Sequence, residues 1–226
     1  MIAHFLTHAA LAIVPVGLAI ILHELAHGYM ALALGDDTAK NQGRLSLNPL
    51  RHIDRVGTVL LPGILIVTQL LTIHKIAFMF GWAKPVPVAA WKFANPRRGM
   101  AIVAIAGPAM NFFLAWLAAL ALPSQVDDVD TGYVAVVYYF MLTNLVIGLF
   151  NLLPIPPLDG GRIVVGLLPE KLARIWAEIE RYGLLIVIAG VFVLPNLLGV
   201  DPFNAFLSHA LPWAQDLVFW AAGRDD

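Results

Sequence analysis

Long apolar runs constrain this chain more than any other feature of its sequence. A helix needs roughly 20 mostly apolar residues to cross a bilayer, and four runs come close to or exceed that length: residues 9–34, 99–122, 133–153 and 182–199. Residues 56–73 and 203–222 are also apolar, although a Pro-Gly pair interrupts the first and a proline the second. Only 13% of the residues are charged, too few to cover a water-soluble domain. We therefore expect an all-α polytopic membrane protein with about five transmembrane helices, forming a single domain over residues 1–226.

The rest of the composition excludes several other classes of protein. The 14 Lys and Arg residues balance 15 Asp and Glu residues, so the chain has no basic surface for a nucleic acid. It contains no cysteine, which excludes disulfides, thiolate metal ligands and cysteine nucleophiles. We expect the lipid bilayer, and no nucleic acid, among its partners.

The first apolar run contains the motif His23-Glu24-Leu25-Ala26-His27. On a helix, His23 and His27 share one face, where two imidazoles can bind one zinc ion. Glu24 lies about 100° round the helix, from where it can act as a base towards a metal-bound water. Ionisable groups left unpaired in hydrocarbon would cost several kcal/mol. The motif therefore predicts a metal site rather than a helix whose polar residues bond to their neighbours.

The third ligand must be His, Asp or Glu, because a hydrolytic zinc site uses three protein ligands and cysteine is absent. Asp159 is a candidate, since it follows a spanning run and lies in the Pro- and Gly-rich stretch 154–162. Non-helical backbone at membrane depth occurs only where protein or water surrounds it, so a carboxylate there is placed to reach inward. From the residues alone, a polar turn at the membrane surface explains Asp159 about equally well.

Three motifs, in this order, resemble those of the site-2 protease family of intramembrane zinc metalloproteases. They are His23-Glu24-Leu25-Ala26-His27, Gly107-Pro108-Ala109-Met110-Asn111 and the stretch from Asn151 to Leu158-Asp159-Gly160. Residues 81–88 (GWAKPVPV) also resemble a stretch of the short bacterial members. We expect a departure from the family in that no full spanning helix precedes the motif helix, and we expect the PDZ or CBS domain of larger relatives to be absent.

The resemblance implies a role for each matching residue. His23, His27 and Asp159 would bind one Zn²⁺ per chain, and Glu24 would be the catalytic base. The resemblance further implies that Asn111 and Asn151 help to hold substrate or the developing oxyanion.

A shared ion also constrains the topology. Helices 9–34 and 133–153 must run in the same direction, and helix 99–122 supplies the return crossing. Residues 56–98 should then be re-entrant, and strand-like residues 76–88 predict a short β-hairpin there, although a plain Pro-rich loop fits equally well. The basic loops then share the cytoplasmic side and the acidic turn at 123–132 faces outward. We expect a multi-pass cell-membrane protein whose zinc lies in the cytoplasmic half of the bilayer.

These features predict hydrolysis of peptide bonds in or near the transmembrane segment of another protein. Residues 83–88 could take up such a segment by strand addition at an exposed edge. The alternative is a non-proteolytic metal carrier or chaperone that retains the zinc site. A transporter, however, should carry ionisable groups on several spanning helices, whereas here they concentrate at one locus. A serine protease fits less well, because no serine lies in a Gly-x-Ser-x-Gly setting.

Overall fold

The computed structural model describes residues 2–72, 74–75, 81–123 and 132–224, and within these residues the chain is helical and has no strand. Its α-helices, in chain order, are α1 (Ile2–Ala33), α2 (Thr38–Asn41), α3 (Leu61–Thr72), α4 (Pro96–Ala121), α5 (Gly132–Asn151), α6 (Asp159–Leu167), α7 (Glu170–Ile179), α8 (Gly183–Ile188), α9 (Leu194–Leu198) and α10 (Pro202–Ala221). A π-helical turn, Arg55–Leu60, leads directly into α3, and a second, Ala189–Val193, joins α8 to α9.

Helices α1, α4 and α5 pack against one another and form the centre of the protein. Small side chains on α4 allow this close packing, because Ala115, Ala118 and Ala119 are buried against α5 and α10. Met141 and Leu145 of α5 fill the space opposite them and are fully buried. Close packing between small residues is typical of helices that associate in a membrane.

Side-chain contacts along these helices define their directions. In the middle of α1, Ala19 contacts Asn111 of α4, and two turns later His27 contacts Val103. Helix α4 is therefore antiparallel to α1. The hydroxyl of Tyr133, at the start of α5, donates to the carbonyl of Ala121, at the end of α4. Helix α5 therefore turns back along α4 and runs in the same direction as α1, as the shared-ion argument predicted.

Residues 34–95 leave and return to the same end of this bundle. Ala31 near the end of α1, Val103 in the second turn of α4 and Phe93 between them pack into one buried cluster. The start of α4 is capped by Asn95, whose side chain accepts a hydrogen bond from the backbone N–H of Arg98 at 3.0 Å. The residues that follow α1 and those that precede α4 therefore lie at the same end of the bundle.

Within the described part of the chain, four helices are long and apolar enough to cross a membrane: Val14–Ala33, Arg55–Thr72, Pro96–Ala121 and Gly132–Asn151. They support a membrane protein, but the predicted count of about five spans is not confirmed. Residues 183–198 form short helical pieces around a π-helical turn, and 16 residues at 1.5 Å each extend about 24 Å, less than the roughly 30 Å hydrocarbon core. Gly199, with a φ of 64°, ends that stretch.

The predicted β-hairpin is also not confirmed. Residues 81–89 form no strand, and residues 76–80 lie outside the described part of the chain. Pro85 and Pro87 lack the backbone N–H groups that a ladder needs. Instead, the N–H groups of Trp82 and Lys84 donate to the carbonyls of Gly57 and His52, at 3.2 and 2.8 Å. We call residues 81–89 the Pro-rich segment; it is held against the loop that precedes α3.

Candidate metal centre

Helix α1 presents His23 and His27 one turn apart on its buried face. Their Nε2 atoms lie 3.0 Å apart, and the two rings are nearly perpendicular. Asp159, the first residue of α6, places Oδ2 at 3.1 Å from His23 Nε2 and 3.2 Å from His27 Nε2. The three residues predicted as ligands are therefore brought together, although 132 positions separate His27 from Asp159 in the sequence.

The backbone between α5 and α6 explains how Asp159 reaches this position. Prolines at 154, 156 and 157 prevent α5 from continuing, and the chain folds back so that α6 begins beside its own preceding loop. A Cβ on Gly161 would lie 2.6 Å from the backbone nitrogen of Pro156, and one on Gly160 would collide with the carbonyl oxygens of Leu152 and Leu153. Only glycine allows α6 to start this close, directly under the histidines.

The hydrogen bond of His27 determines which of its ring nitrogens faces the site as a lone pair. Its Nδ1 lies 2.7 Å from the carbonyl oxygen of Val103. A carbonyl only accepts hydrogen bonds, so Nδ1 carries the proton. In the neutral ring, Nε2 then carries a free lone pair, which is directed at His23 and Asp159.

A chain of three hydrogen bonds assigns the proton on His23 in the same way. Asn144 donates through Nδ2 to the carbonyl of Phe140 at 2.9 Å, so its Oδ1 accepts from Asn111 Nδ2 at 2.8 Å. The Oδ1 of Asn111 is thereby left to accept from His23 Nδ1 at 2.6 Å. The proton of His23 is therefore on Nδ1, and its Nε2 is also a free lone pair.

Two imidazole lone pairs and a carboxylate oxygen thus converge with no proton between them. Asp159 Oδ2 is buried and makes no hydrogen bond, which would be costly without a cation. The three ligand atoms lie 3.0–3.2 Å apart, close to the roughly 3.3 Å between ligands of a tetrahedral zinc with bonds of about 2.0–2.1 Å. The donor set therefore fits Zn²⁺, and the described residues contain no second group of this kind.

Gly107 on α4 makes room for both rings. A Cβ at this position would lie 2.5 Å from His27 Nε2 and 2.6 Å from His23 Cε1. Real Cβ atoms essentially never approach this closely, and both rings are already fixed through Nδ1. The Gly-Pro-Ala-Met-Asn motif therefore contributes to the metal centre twice, through the space at Gly107 and the amide of Asn111.

Glu24 lies beside the ligands but does not contact their metal-facing atoms. Its half-buried carboxylate accepts a hydrogen bond through Oε2 from the backbone N–H of Val86, at 2.9 Å. Its Oε1 has no hydrogen-bond partner among the described residues. One oxygen is thus held by the Pro-rich segment while the other remains available to a proton.

The two predicted substrate-binding asparagines lie in different surroundings. Asn111 is fully buried and uses both ends of its amide, for His23 and for Asn144; these contacts favour orientation of His23 over contact with substrate. Asn151 is half-buried and donates only to the carbonyl of Ile147 in its own helix, at 3.0 Å. Contact of Asn151 with substrate stays a prediction.

Sequence reasoning missed Asn144, the third member of the chain that orients His23. A signal was present, because Asn144 is an amide side chain in the middle of a predicted apolar span, and polar groups at that depth are usually retained for a function. The contact between Glu24 and Val86 had no such signal, since the donor is a backbone group.

Comparison with known proteins agrees with this site. The model of peptidase family M50 matches residues 123–194, which include Asp159. The chain is 39% identical over 181 residues to "Putative zinc metalloprotease YwhC" of Bacillus subtilis (strain 168), covering 77% of this chain and 76% of that protein. It is 30% identical over 203 residues to "Putative zinc metalloprotease Rip2" of Mycolicibacterium smegmatis, covering 88% and 68%.

A third relative matches over a shorter stretch. "Zinc metalloprotease MJ0392" of Methanocaldococcus jannaschii is 37% identical over 76 residues, 34% of this chain and 22% of that protein. No solved structure matches the chain. The names of these relatives and the convergent donor set identify zinc as the cofactor. The extent of the similarity to YwhC and the match to the family model show that the chain belongs to peptidase family M50, the site-2 protease family.

Proposed function

We propose that this membrane metalloprotease hydrolyses peptide bonds in or near the transmembrane segments of other membrane proteins. The observation that carries the proposal is the convergence of two imidazole lone pairs and one unpaired carboxylate oxygen inside a bundle of apolar helices. Glu24, whose carboxylate is suited to act as a base, lies on α1, the same helix as the two imidazoles. A metal site that only stores or carries zinc has no need of such a neighbour.

Each residue of the site has a defined task in this reaction. His23, His27 and Asp159 hold zinc, which when bound acts as a Lewis acid that polarises a carbonyl and makes water more acidic. Asn111 and the carbonyl of Val103 keep the two rings in the required tautomer and orientation. Glu24 takes a proton from the attacking water through its free oxygen and passes it to the amide nitrogen as the C–N bond breaks.

The Pro-rich segment is the proposed binding surface for the substrate chain. A helical peptide bond is shielded by its own hydrogen bonds, so the substrate must be extended before water can attack it. The N–H groups of residues 82, 84 and 86 and the carbonyls of residues 82 and 84 have hydrogen-bond partners within the protein. The N–H of Ala83 and the carbonyl of Pro87 have no partner among the described residues, and an extended substrate can add to that edge.

The topology forms part of the proposal. Since α1 and α5 run in parallel and residues 34–95 return to the end of the bundle that they left, we assign Arg55–Thr72 to a re-entrant segment. The basic loops then lie in the cytoplasm. Under the proposed topology, the zinc lies in the cytoplasmic half of the cell membrane within a single multi-pass domain.

Cleavage by purified protein tests the activity. The protein is reconstituted with a panel of single-span membrane proteins, and fragments are mapped by mass spectrometry. Glu24→Gln should retain zinc and lose cleavage, whereas His23→Ala should lose both. The matched control is Glu178→Gln, the same change at an exposed glutamate of α7, which should cleave at the wild-type rate. Equal rates for wild type and Glu24→Gln, or zinc flux into vesicles without any cleavage, would rule out the proposal.

Single introduced cysteines test the orientation, because the chain has none of its own. In intact cells, a membrane-impermeant maleimide should label Asp128→Cys in the acidic turn. It should label Lys171→Cys in α7 only after permeabilisation. The opposite pattern would place the zinc in the outer half of the membrane.

A further inference from the structure

A buried arginine lies on the other side of the peptide group that contacts Glu24. Arg44 is only 7% exposed, and no carboxylate among the described residues lies within ion-pair distance of its guanidinium. Burial of an unpaired charge is costly, so the position of this side chain calls for a specific set of acceptors. All the acceptors that it has are backbone carbonyls.

These carbonyls join two separate loops. The Nη1 of Arg44 donates to the carbonyl of Arg51, in the turn that precedes α3. Its Nη2 donates to the carbonyls of Lys84 at 2.6 Å and Pro85 at 3.2 Å, in the Pro-rich segment. A lysine has a single nitrogen and cannot reproduce this forked arrangement.

The carbonyl of Pro85 and the N–H of Val86 belong to the same peptide group. The Arg44 guanidinium lies at its oxygen, and the Glu24 carboxylate lies at its nitrogen, 2.9 Å away. In a trans peptide the C=O and N–H point in opposite directions, so fixing the oxygen aims the N–H at Glu24. A cation at one end and an anion at the other also polarise the peptide and strengthen both hydrogen bonds.

We infer that Arg44 is a positioning residue that orients Glu24 through the Pro85–Val86 peptide group. The inference rests on the proposed role of Glu24 as the base. Close packing supports the path, because a Cβ on Gly28 would lie 3.0 Å from Val86 Cγ1, so Val86 is seated directly on α1. Arg44 does not touch the ligands and is not needed to bind zinc.

Among the kinetic and metal-binding properties, only turnover should change when Arg44 is lost. Misplacing a reacting group by about 1 Å costs up to 10²-fold in rate, so Arg44→Lys should lower kcat roughly 10–100-fold. KM and zinc content should stay close to their wild-type values, while the melting temperature should fall because backbone carbonyls lose their donor. Arg55→Lys, the same change at an exposed arginine, is the matched control and should leave kcat unchanged.

A double-mutant cycle separates this role from a general structural one. Val86→Pro removes the N–H that donates to Glu24 and leaves the carbonyl of Pro85 in place, while Val86→Ala keeps the N–H. Arg44→Lys should lower kcat in the wild-type and Val86→Ala backgrounds but change it less than twofold in Val86→Pro. Losses that multiply in the double variant, or Arg44→Lys at the wild-type kcat, would overturn the inference.

An amide chemical shift tests the same contact without any cleavage assay. In protein labelled with ¹⁵N-valine, the signal of the Val86 amide proton is assigned with Val86→Ala. This signal should move upfield in Glu24→Ala, which removes the acceptor, and also in Arg44→Lys. An unchanged shift in Arg44→Lys would overturn the inference even if the protein cleaves no substrate. If the shift moves as expected in Arg44→Lys but the wild-type protein cleaves no substrate, the result would overturn the proposed function alone.

Discussion

Asn111 accepts a hydrogen bond from Nδ1 of His23 at 2.6 Å, across the interface between α4 and α1. The interaction commits the proton of the ring to Nδ1 and leaves Nε2 free for the metal. It also connects α1 to α5, because Asn111 donates in turn to Asn144. The metal centre is thereby tied to all three central helices.

Replacing Asn111 with leucine should weaken zinc binding by roughly 10–100-fold, the usual effect of removing the partner of a ligand histidine. Without its acceptor, His23 can carry its proton on either nitrogen and turn away from the site. A competition titration with a fluorescent zinc chelator measures the change. Asn144→Leu should have a smaller effect in the same direction.

Asn151→Ala is the matched control for that experiment. Asn151 contacts only the carbonyl of Ile147, so its removal should leave zinc affinity unchanged and, as a predicted substrate contact, should raise KM. An equal loss of zinc affinity in Asn111→Leu and Asn151→Ala would show that the effect is not transmitted through His23.

Replacing Gly107 with alanine should remove zinc. The added Cβ would lie 2.5 Å from His27 Nε2, and neither ring can retreat without breaking its hydrogen bond through Nδ1. Metal analysis of the purified variant should show less than one tenth of the wild-type zinc, while circular dichroism stays helical. The matched control is Gly17→Ala in α1, where an added Cβ would have nothing within 4 Å. This variant should keep its zinc. Loss of zinc in both variants would contradict the steric explanation.

The sequence singles out four candidate site residues because they lie in short motifs typical of metal-dependent hydrolysis. His23, Glu24 and His27 occupy one helical turn, and Asp159 follows a recognisable break in an apolar run. The contacts of Arg44 and Val86 could not be predicted in this way. Arg44 looks like one more basic residue of a cytoplasmic loop, and only tertiary packing shows that it is buried against backbone carbonyls.

The number of membrane spans was less predictable, because hydropathy does not show where a helix breaks. Hydropathy marks residues 182–199 as apolar, but glycine, proline and a π-helical turn divide that stretch. The assignment of residues 56–98 to a re-entrant segment stays a prediction, and it rests on a constraint: one ion must join His27 to Asp159. A hairpin in residues 76–88 had no such constraint behind it.

Asp36 should make the stability of the fold depend on pH. It is fully buried at the end of α1 and accepts hydrogen bonds from the N–H of Ala89 at 2.6 Å and from Thr38, with Lys92 at 3.3 Å. Burial raises the pKa of this carboxyl, but the hydrogen bonds outweigh that effect and hold its pKa below the ordinary 3.8. Its contribution is therefore present above about pH 4 and is lost as the pH falls through the lowered pKa.

Asp36→Asn should accordingly lower the free energy of unfolding by about 2 kcal/mol at neutral pH, the scale of hydrogen bonds to a charged group. The difference from wild type should shrink as the pH falls below 4. Thermal unfolding of both proteins with a chelator present, so that release of zinc does not contribute, measures it. A difference that stays constant down to pH 3 would contradict the assignment.

Zinc K-edge X-ray absorption on the purified protein tests the central claim most directly. The wild type should contain one zinc per chain, with two imidazole nitrogens and a carboxylate oxygen at about 2.0–2.2 Å. Asp159→Asn and His23→Ala should each contain far less metal. Full zinc occupancy with an unchanged spectrum in Asp159→Asn would show that His23, His27 and Asp159 do not share one ion.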